Sequence, residues 1–150
     1  MLKETCFFNM YLCLVDNLKN KSIILFDGVC NLCNTSVIFI IKHDKKAHFK
    51  FASLQSDATK ELLLQHNVKK IKMDSIVLIE NNKIHKKSTA ALRISRKLNG
   101  GFKLLYAFII IPTFIRNWVY NYIAKNRYKW FGKKDSCMIP SEKLKDRFIA

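Results

Sequence analysis

The junction at residues 22–43 constrains this chain most. Residues 22–26 (SIILF) form a short apolar run, and Asp27-Gly28, a turn pair, ends it. That is the pattern of a buried strand. Residues 31–43 then run without Gly or Pro, and Val37, Ile38, Phe39, Ile40 and Ile41 are contiguous within them. Periodicity alone does not separate helix from strand in such a run. Its length, and the polar stretch Asn34-Thr35-Ser36 near its start, predict a helix with most of its surface covered. Cys30 and Cys33 fall where the strand hands over to that helix.

The elements that follow narrow the fold. Residues 49–54 (FKFASL) alternate and read as a second strand. Ser56 or Asp57 can cap the next helix, which runs to about His66 and packs Ala58, Leu62 and Leu63. Residues 75–80 (SIVLIE) are a third strand, joined by Asn81-Asn82 to a fourth at 83–86. Ser88 is expected to cap a helix through Leu98, stopped by Asn99-Gly100-Gly101. The order β-α-β-α-β-β-α gives a parallel unit with a right-handed crossover, followed by an antiparallel pair. It is the order of a thioredoxin-like domain. The expected class is α/β, with a central mixed four-stranded sheet flanked by helices and a C-terminal helical extension.

That extension starts at about residue 101 and is dense in aromatic and basic residues, among them Phe102, Tyr106, Phe108, Phe114, Trp118, Tyr122 and Trp130. It is expected to cover one face of the sheet and finish the core; a membrane surface or partner groove is the other reading. Residues 1–20 read as an N-terminal extension and residues 21–150 as one domain. Residues 6–15 (CFFNMYLCLV) only faintly resemble a signal peptide, because Glu4 precedes them and no small-residue cleavage site follows. Residues 104–115 are apolar but too short to span a bilayer, so no integral membrane span is expected.

A chain of 150 residues with 49% apolar and 25% charged side chains can build its core without a disulfide framework. The net charge of +16 would attract nucleic acid or anionic lipid. Its Lys residues are scattered, and no nucleic-acid-binding motif appears, so no nucleic-acid partner is expected. The five cysteines are an odd, sparse set. They fit a reducing compartment, here the cytoplasm, where cysteine serves chemistry.

That chemistry centres on Cys30-Asn31-Leu32-Cys33. A thiol attacks a disulfide as its thiolate, and a helix N-terminus favours the anion. Cys30 is expected at the N-cap or first turn, facing solvent, as nucleophile. Cys33, one turn on, is the resolving thiol. The partners would be a disulfide-bearing protein or small thiol and a reducing donor thiol; no cofactor is needed. The main rival is half of a zinc site. Yet Cys6 and Cys13 lie in an apolar segment, Cys137 is alone, and His43, His48, His66 and His85 form no ligand-like pair, so no metal is expected. A non-enzymatic zinc-binding module, or a basic nucleic-acid or membrane-surface module, is the alternative. Asp27 has two readings: a carboxylate relaying a proton with Cys33, or one shaping the turn through backbone N–H groups.

Asp27-Gly28-Val29-Cys30-Asn31-Leu32-Cys33 resembles the signature of the DCC family of predicted thiol–disulfide oxidoreductases. The likeness continues through Phe51-Ala52-Ser53-Leu54-Gln55, Asp74-Ser75, Ser88-Thr89-Ala90-Ala91-Leu92, Asn126-Arg127-Tyr128, Trp130-Phe131-Gly132 and Cys137-Met138-Ile139-Pro140. It covers about residues 22–140 and implies a thioredoxin-like fold with redox activity. Thioredoxins proper place a cis-proline before the third strand; here that place is Met73-Asp74-Ser75. Ser75 and Asp74 are thus the candidate substrate-binding residues, with a Ser75 hydroxyl in the proline's stead. Cys137 is either a third redox thiol or a buried small hydrophobe. Arg127 either stabilises a thiolate or acidic substrate, or packs along Trp130 or Phe131.

Overall fold

The computed structural model describes residues 21–68, 75–135 and 141–149. Asp74 and Cys137, Cys6 and Cys13, and the whole extension 1–20 lie outside the described residues. The strands are β1 (Ser22–Phe26), β2 (Phe49–Ser53), β3 (Val77–Glu80) and β4 (Lys83–Lys86). The helices are α1 (Asn31–His43), α2 (Asp57–Gln65), α3 (Lys87–Lys97) and α4 (Thr113–Phe131). Two 3-10 segments, Gly101–Ile110 and Glu142–Arg147, complete the chain.

The sheet order is β2-β1-β3-β4. β1 pairs parallel with β2 and antiparallel with β3, and β3 pairs antiparallel with β4. This is the mixed thioredoxin-like α/β arrangement expected from the element order. β1 is central, so all five of its residues are buried. Alternate side chains serve opposite faces. Ile24 and Phe26 pack with Val37 and Ile40 of α1 and Ala90 and Ile94 of α3. Ile23 and Leu25 pack on the other side with Leu62 and Leu63 of α2. The hairpin turns through Asn81 and Asn82 at φ 49° and 58°. Two successive left-handed residues make the turn that matches strand twist, and Asn tolerates that region better than most side chains. Ser56 caps α2 as expected, accepting from the Thr59 N–H at 3.3 Å.

Two expectations need correction, and one about α1 holds. Ser88 does not cap α3: the N-cap is Lys86, without a side-chain bond. Ser88 lies inside the first turn and donates to Asn117 Oδ1 at 2.6 Å, tying α3 to α4. α1 is covered over most of its surface as expected, with only Thr35, Ile38, Phe39 and Lys42 exposed. The aromatic extension does not chiefly finish the core. Phe102 packs at the core's edge and Tyr120 Oη accepts from the Ile76 N–H at 2.9 Å. Phe108, Phe114, Trp118, Tyr122 and Trp130 are exposed. Both edges of the sheet are protected. The C-terminal segment lies along β2, with the Ile149 N–H donating to Phe51 O at 2.8 Å. β4 ends in exposed lysines, Lys83 and Lys86, which discourage further strand pairing.

Candidate active site

The dithiol itself is positioned by its local sequence. β1 ends at Asp27, and the Cys30 N–H returns to the Asp27 carbonyl at 3.3 Å. The Val29 N–H donates to Asp27 Oδ1 at 3.2 Å. This turn places Cys30 at the N-cap of α1, where its sulfur accepts from the Cys33 N–H at 3.4 Å. One helical turn then brings Cys33 into hydrogen-bonding contact with the Cys30 sulfur. Both are free thiols.

Exposure runs opposite to expectation. Cys30 is fully buried, whereas Cys33 is partly open. The cover is a strap from the far end of the chain. Lys133 bridges Cys30, and the Lys134 N–H donates to Val29 O at 2.8 Å. Asn31 Nδ2 donates to Phe131 O at 2.8 Å, holding the strap's base. Gly132 sits there at φ +78°, and a Cβ would come within 3.1 Å of that Asn31 amide. The positive φ favours glycine here, and a Cβ would also crowd the Asn31 amide. Turn chemistry places Cys30 correctly, but nothing local in sequence announces a cover about a hundred residues away.

Asp27 and Arg127 form the charged heart of the site. Arg127 Nη2 lies 2.8 Å from Asp27 Oδ2, with both side chains buried. Gln55 Nε2 donates to Asp27 Oδ1 at 2.9 Å, and the Tyr128 hydroxyl donates to Asp27 Oδ2. The carboxylate thus meets four donor groups, one of them cationic, which is what a buried anion needs. Turn shaping by Asp27 is directly visible. Arg127 also reaches the thiols, with Nη1 at 3.6 Å from Cys33 Sγ. Its ring contact is Tyr128, at 4.6 Å from the centroid, and not Trp130 or Phe131. Gln55, Arg127 and Tyr128 all stood in the blocks resembling the DCC family. Their convergence on Asp27 was the part sequence reasoning missed. Ser75 is buried. Among the described residues, no three His, Cys, Asp or Glu side chains gather as metal ligands.

Cys33 opens on a groove of about 480 Å³ between α1, α3, α4 and the first 3-10 segment. Phe39, Ile94, Phe102 and Ile123 wall it, and Cys33 and Arg127 stand at one end. The hydroxyls of Ser36 and Ser95 donate to carbonyls of their own helices, at 2.8 and 2.7 Å. Thr35 and Tyr120 also line the groove, but its wall is mostly apolar.

Burial pushes the Cys33 thiol up to about 12, with help from its hydrogen bond to Cys30 and from the charge Cys30 develops; Arg127 opposes the shift. Tyr128 is likewise pushed up to about 12, by burial and then by the proton it gives to Asp27. Burial thus favours the protonated form of Cys33. Both groups bind protons more tightly folded than unfolded, so their stabilisation is complete below about pH 9 and is lost as pH rises toward about 12. Thermal melts from pH 8 to 11 should show the wild type losing stability faster than Cys33→Ala. Parallel curves would contradict this.

A strand-turn-helix that sets a dithiol at a helix N-terminus, on a mixed four-stranded sheet, defines a thioredoxin-like CxxC protein. The family profile described as DCC1-like thiol-disulfide oxidoreductase matches residues 24–133, and the chain belongs to this family. It is 48% identical over 127 residues to "Uncharacterized protein YuxK" of Bacillus subtilis, covering 85% of this chain and 93% of that one. It is 42% identical over 118 residues to a DCC family protein of Arabidopsis thaliana, described as chloroplastic, covering 78% of this chain and 69% of that one. No solved structure matches the chain. Among the described residues, no helix is long and apolar enough to cross a membrane.

Proposed function

We propose that the chain is a thiol–disulfide oxidoreductase in which Cys30 attacks and Cys33 resolves. The observation that carries this is the placement of the Cys30 sulfur as N-cap of α1, receiving the Cys33 N–H. Cys30 thus meets the positive end of the α1 dipole and the amide N–H of Cys33. The Cys30 thiolate displaces one sulfur of a substrate disulfide, whose leaving thiolate takes up a proton. Cys33 then gives up its proton and attacks Cys30, releasing the second substrate thiol. Two electrons have moved to the substrate, leaving a Cys30–Cys33 disulfide for a dithiol donor to reduce.

Arg127 lies within reach of Cys33 and favours its anion when it must form. Asp27 acts through Arg127, as a positioning residue. The strap over Cys30 must lift for a substrate sulfur to reach it. The apolar groove beside Cys33 suits substrates whose disulfide sits on an apolar body. Buried Ser75, with Asp74, is proposed for substrate binding. Cys137 remains a candidate third thiol within the same scheme. The sparse, odd cysteine set suits the cytoplasm, where donor thiols are plentiful.

A second reading is favoured by one observation: Cys33, not Cys30, is the partly open thiol. In that reading Cys33 meets the substrate first. Reduced protein should turn over insulin disulfides with a dithiol donor. Stoichiometric zinc lost on Cys33→Ser, with no turnover, would replace the redox reading with a zinc-binding one.

A further inference from the structure

The outward half of α4 is apolar, where a surface helix is ordinarily polar. Phe114, Trp118, Val119, Tyr122, Ile123 and Trp130 are exposed, Phe114 by 75% and Trp118 by 72%. At about 100° per residue they fall, with exposed Lys125 and Lys129, on one half of the helix surface. Trp118 stacks on Tyr122 with centroids 6.4 Å apart, and Tyr122 meets Trp130 edge-on at 5.8 Å. The rings form one ladder along the helix. Leu104, Phe108 and Ile110 of the preceding 3-10 segment are exposed as well. Such a patch on a soluble surface marks an interaction site.

The charge around it says what it meets. From residue 81 to residue 134 the chain carries 13 Lys and Arg and not one Asp or Glu. We propose that this face docks peripherally on an anionic lipid bilayer. The bilayer interface offers negative headgroups to Lys125 and Lys129 and an apolar layer to the aromatic ladder, a combination that interfacial helices use. A second copy of the same face would set lysine against lysine with no acid to pair them. A nucleic acid would engage the cations but leave the aliphatic side chains unexplained. Ile123 and Leu105 border both this face and the groove that ends at Cys33. The route to the thiols therefore lies beside the docked surface.

Both tryptophans of the chain, Trp118 and Trp130, lie on this face, so intrinsic fluorescence reports on it directly. The full chain is titrated with phosphatidylcholine vesicles, and with vesicles containing about 30% phosphatidylglycerol, where anionic lipid supplies the attraction. A blue-shifted emission and co-sedimentation are expected with the anionic vesicles only. Partitioning should weaken at least about tenfold between about 0.1 M and 0.5 M salt. The double variant Phe114→Ser/Trp118→Ser, with Trp130 as reporter, should bind at least about tenfold more weakly. Its circular dichroism and disulfide reductase turnover in vesicle-free buffer should be unchanged. Four results would overturn the proposal: unshifted emission, equal binding to neutral vesicles, binding to RNA without vesicle partitioning, or a dimer that sequesters this face in buffer.

Discussion

Cys30→Ser is expected to lower disulfide reduction by at least about a thousandfold, while the protein stays folded. A serine hydroxyl is almost wholly protonated near neutral pH and cannot form the mixed disulfide, so both half-reactions stop. The fold should tolerate the change, because serine is among the best N-cap residues and can still accept the amide N–H at the start of α1. A loss of turnover with an unchanged melting transition therefore separates chemistry from folding. Retention of more than about a tenth of the activity would remove Cys30 from the mechanism.

Arg127→Met is expected to cost about 3–5 kcal/mol of stability, the penalty for leaving one member of a buried ion pair uncompensated. Against the about 5–15 kcal/mol that holds a typical domain together, that would leave the variant close to unfolding. The reason is specific. Asp27 is buried, and Arg127 supplies the one cation among its described hydrogen-bond donors. Methionine keeps much of the side-chain volume, so the loss reports mainly on charge. The double variant Asp27→Asn/Arg127→Met removes the stranded anion and should regain a large part of the loss. Urea denaturation of both variants measures this. A single-variant loss below about 1 kcal/mol would mean that Gln55, Tyr128 and the backbone suffice to hold the carboxylate.

The strand, the Asp-Gly turn and the helix behind Cys30 were legible because each is encoded within a few residues. The same holds for the Asn81-Asn82 hairpin, whose two left-handed residues are what such a turn requires. Ser56 could be recognised as a cap for the same reason, yet Ser88 could not be excluded as one. Its hydroxyl is taken by Asn117, a residue of another helix. The site divides in the same way. Asp27, Cys30 and Cys33 announce themselves by spacing. Arg127 and the strap over Cys30 come from the chain's far end, where only the resemblance to a family marked the residues at all.

The aromatic extension misled for a physical reason. Aromatic density ordinarily signals burial, and α4 inverts the usual pattern. Its one fully buried residue is Arg127, turned inward to Asp27 and the thiols. Phe114, Trp118, Tyr122 and Trp130 face outward, while Tyr120 and Tyr128 turn toward Ile76 and Asp27. Burial of an arginine is tolerable because a buried carboxylate awaits it, and that pairing is invisible to any local reading of the helix.

The order of attack is open to a direct chemical test. Each single variant, Cys33→Ser and Cys30→Ser, is incubated reduced with an aromatic disulfide, and the adduct is located by mass spectrometry of peptides. A long-lived mixed disulfide on Cys30 of the Cys33→Ser protein, with little or none on Cys33 of the Cys30→Ser protein, is the predicted result. An adduct that builds up on Cys33 instead, or on neither sulfur, would contradict a mechanism in which the capped, shielded thiol is the one that strikes first.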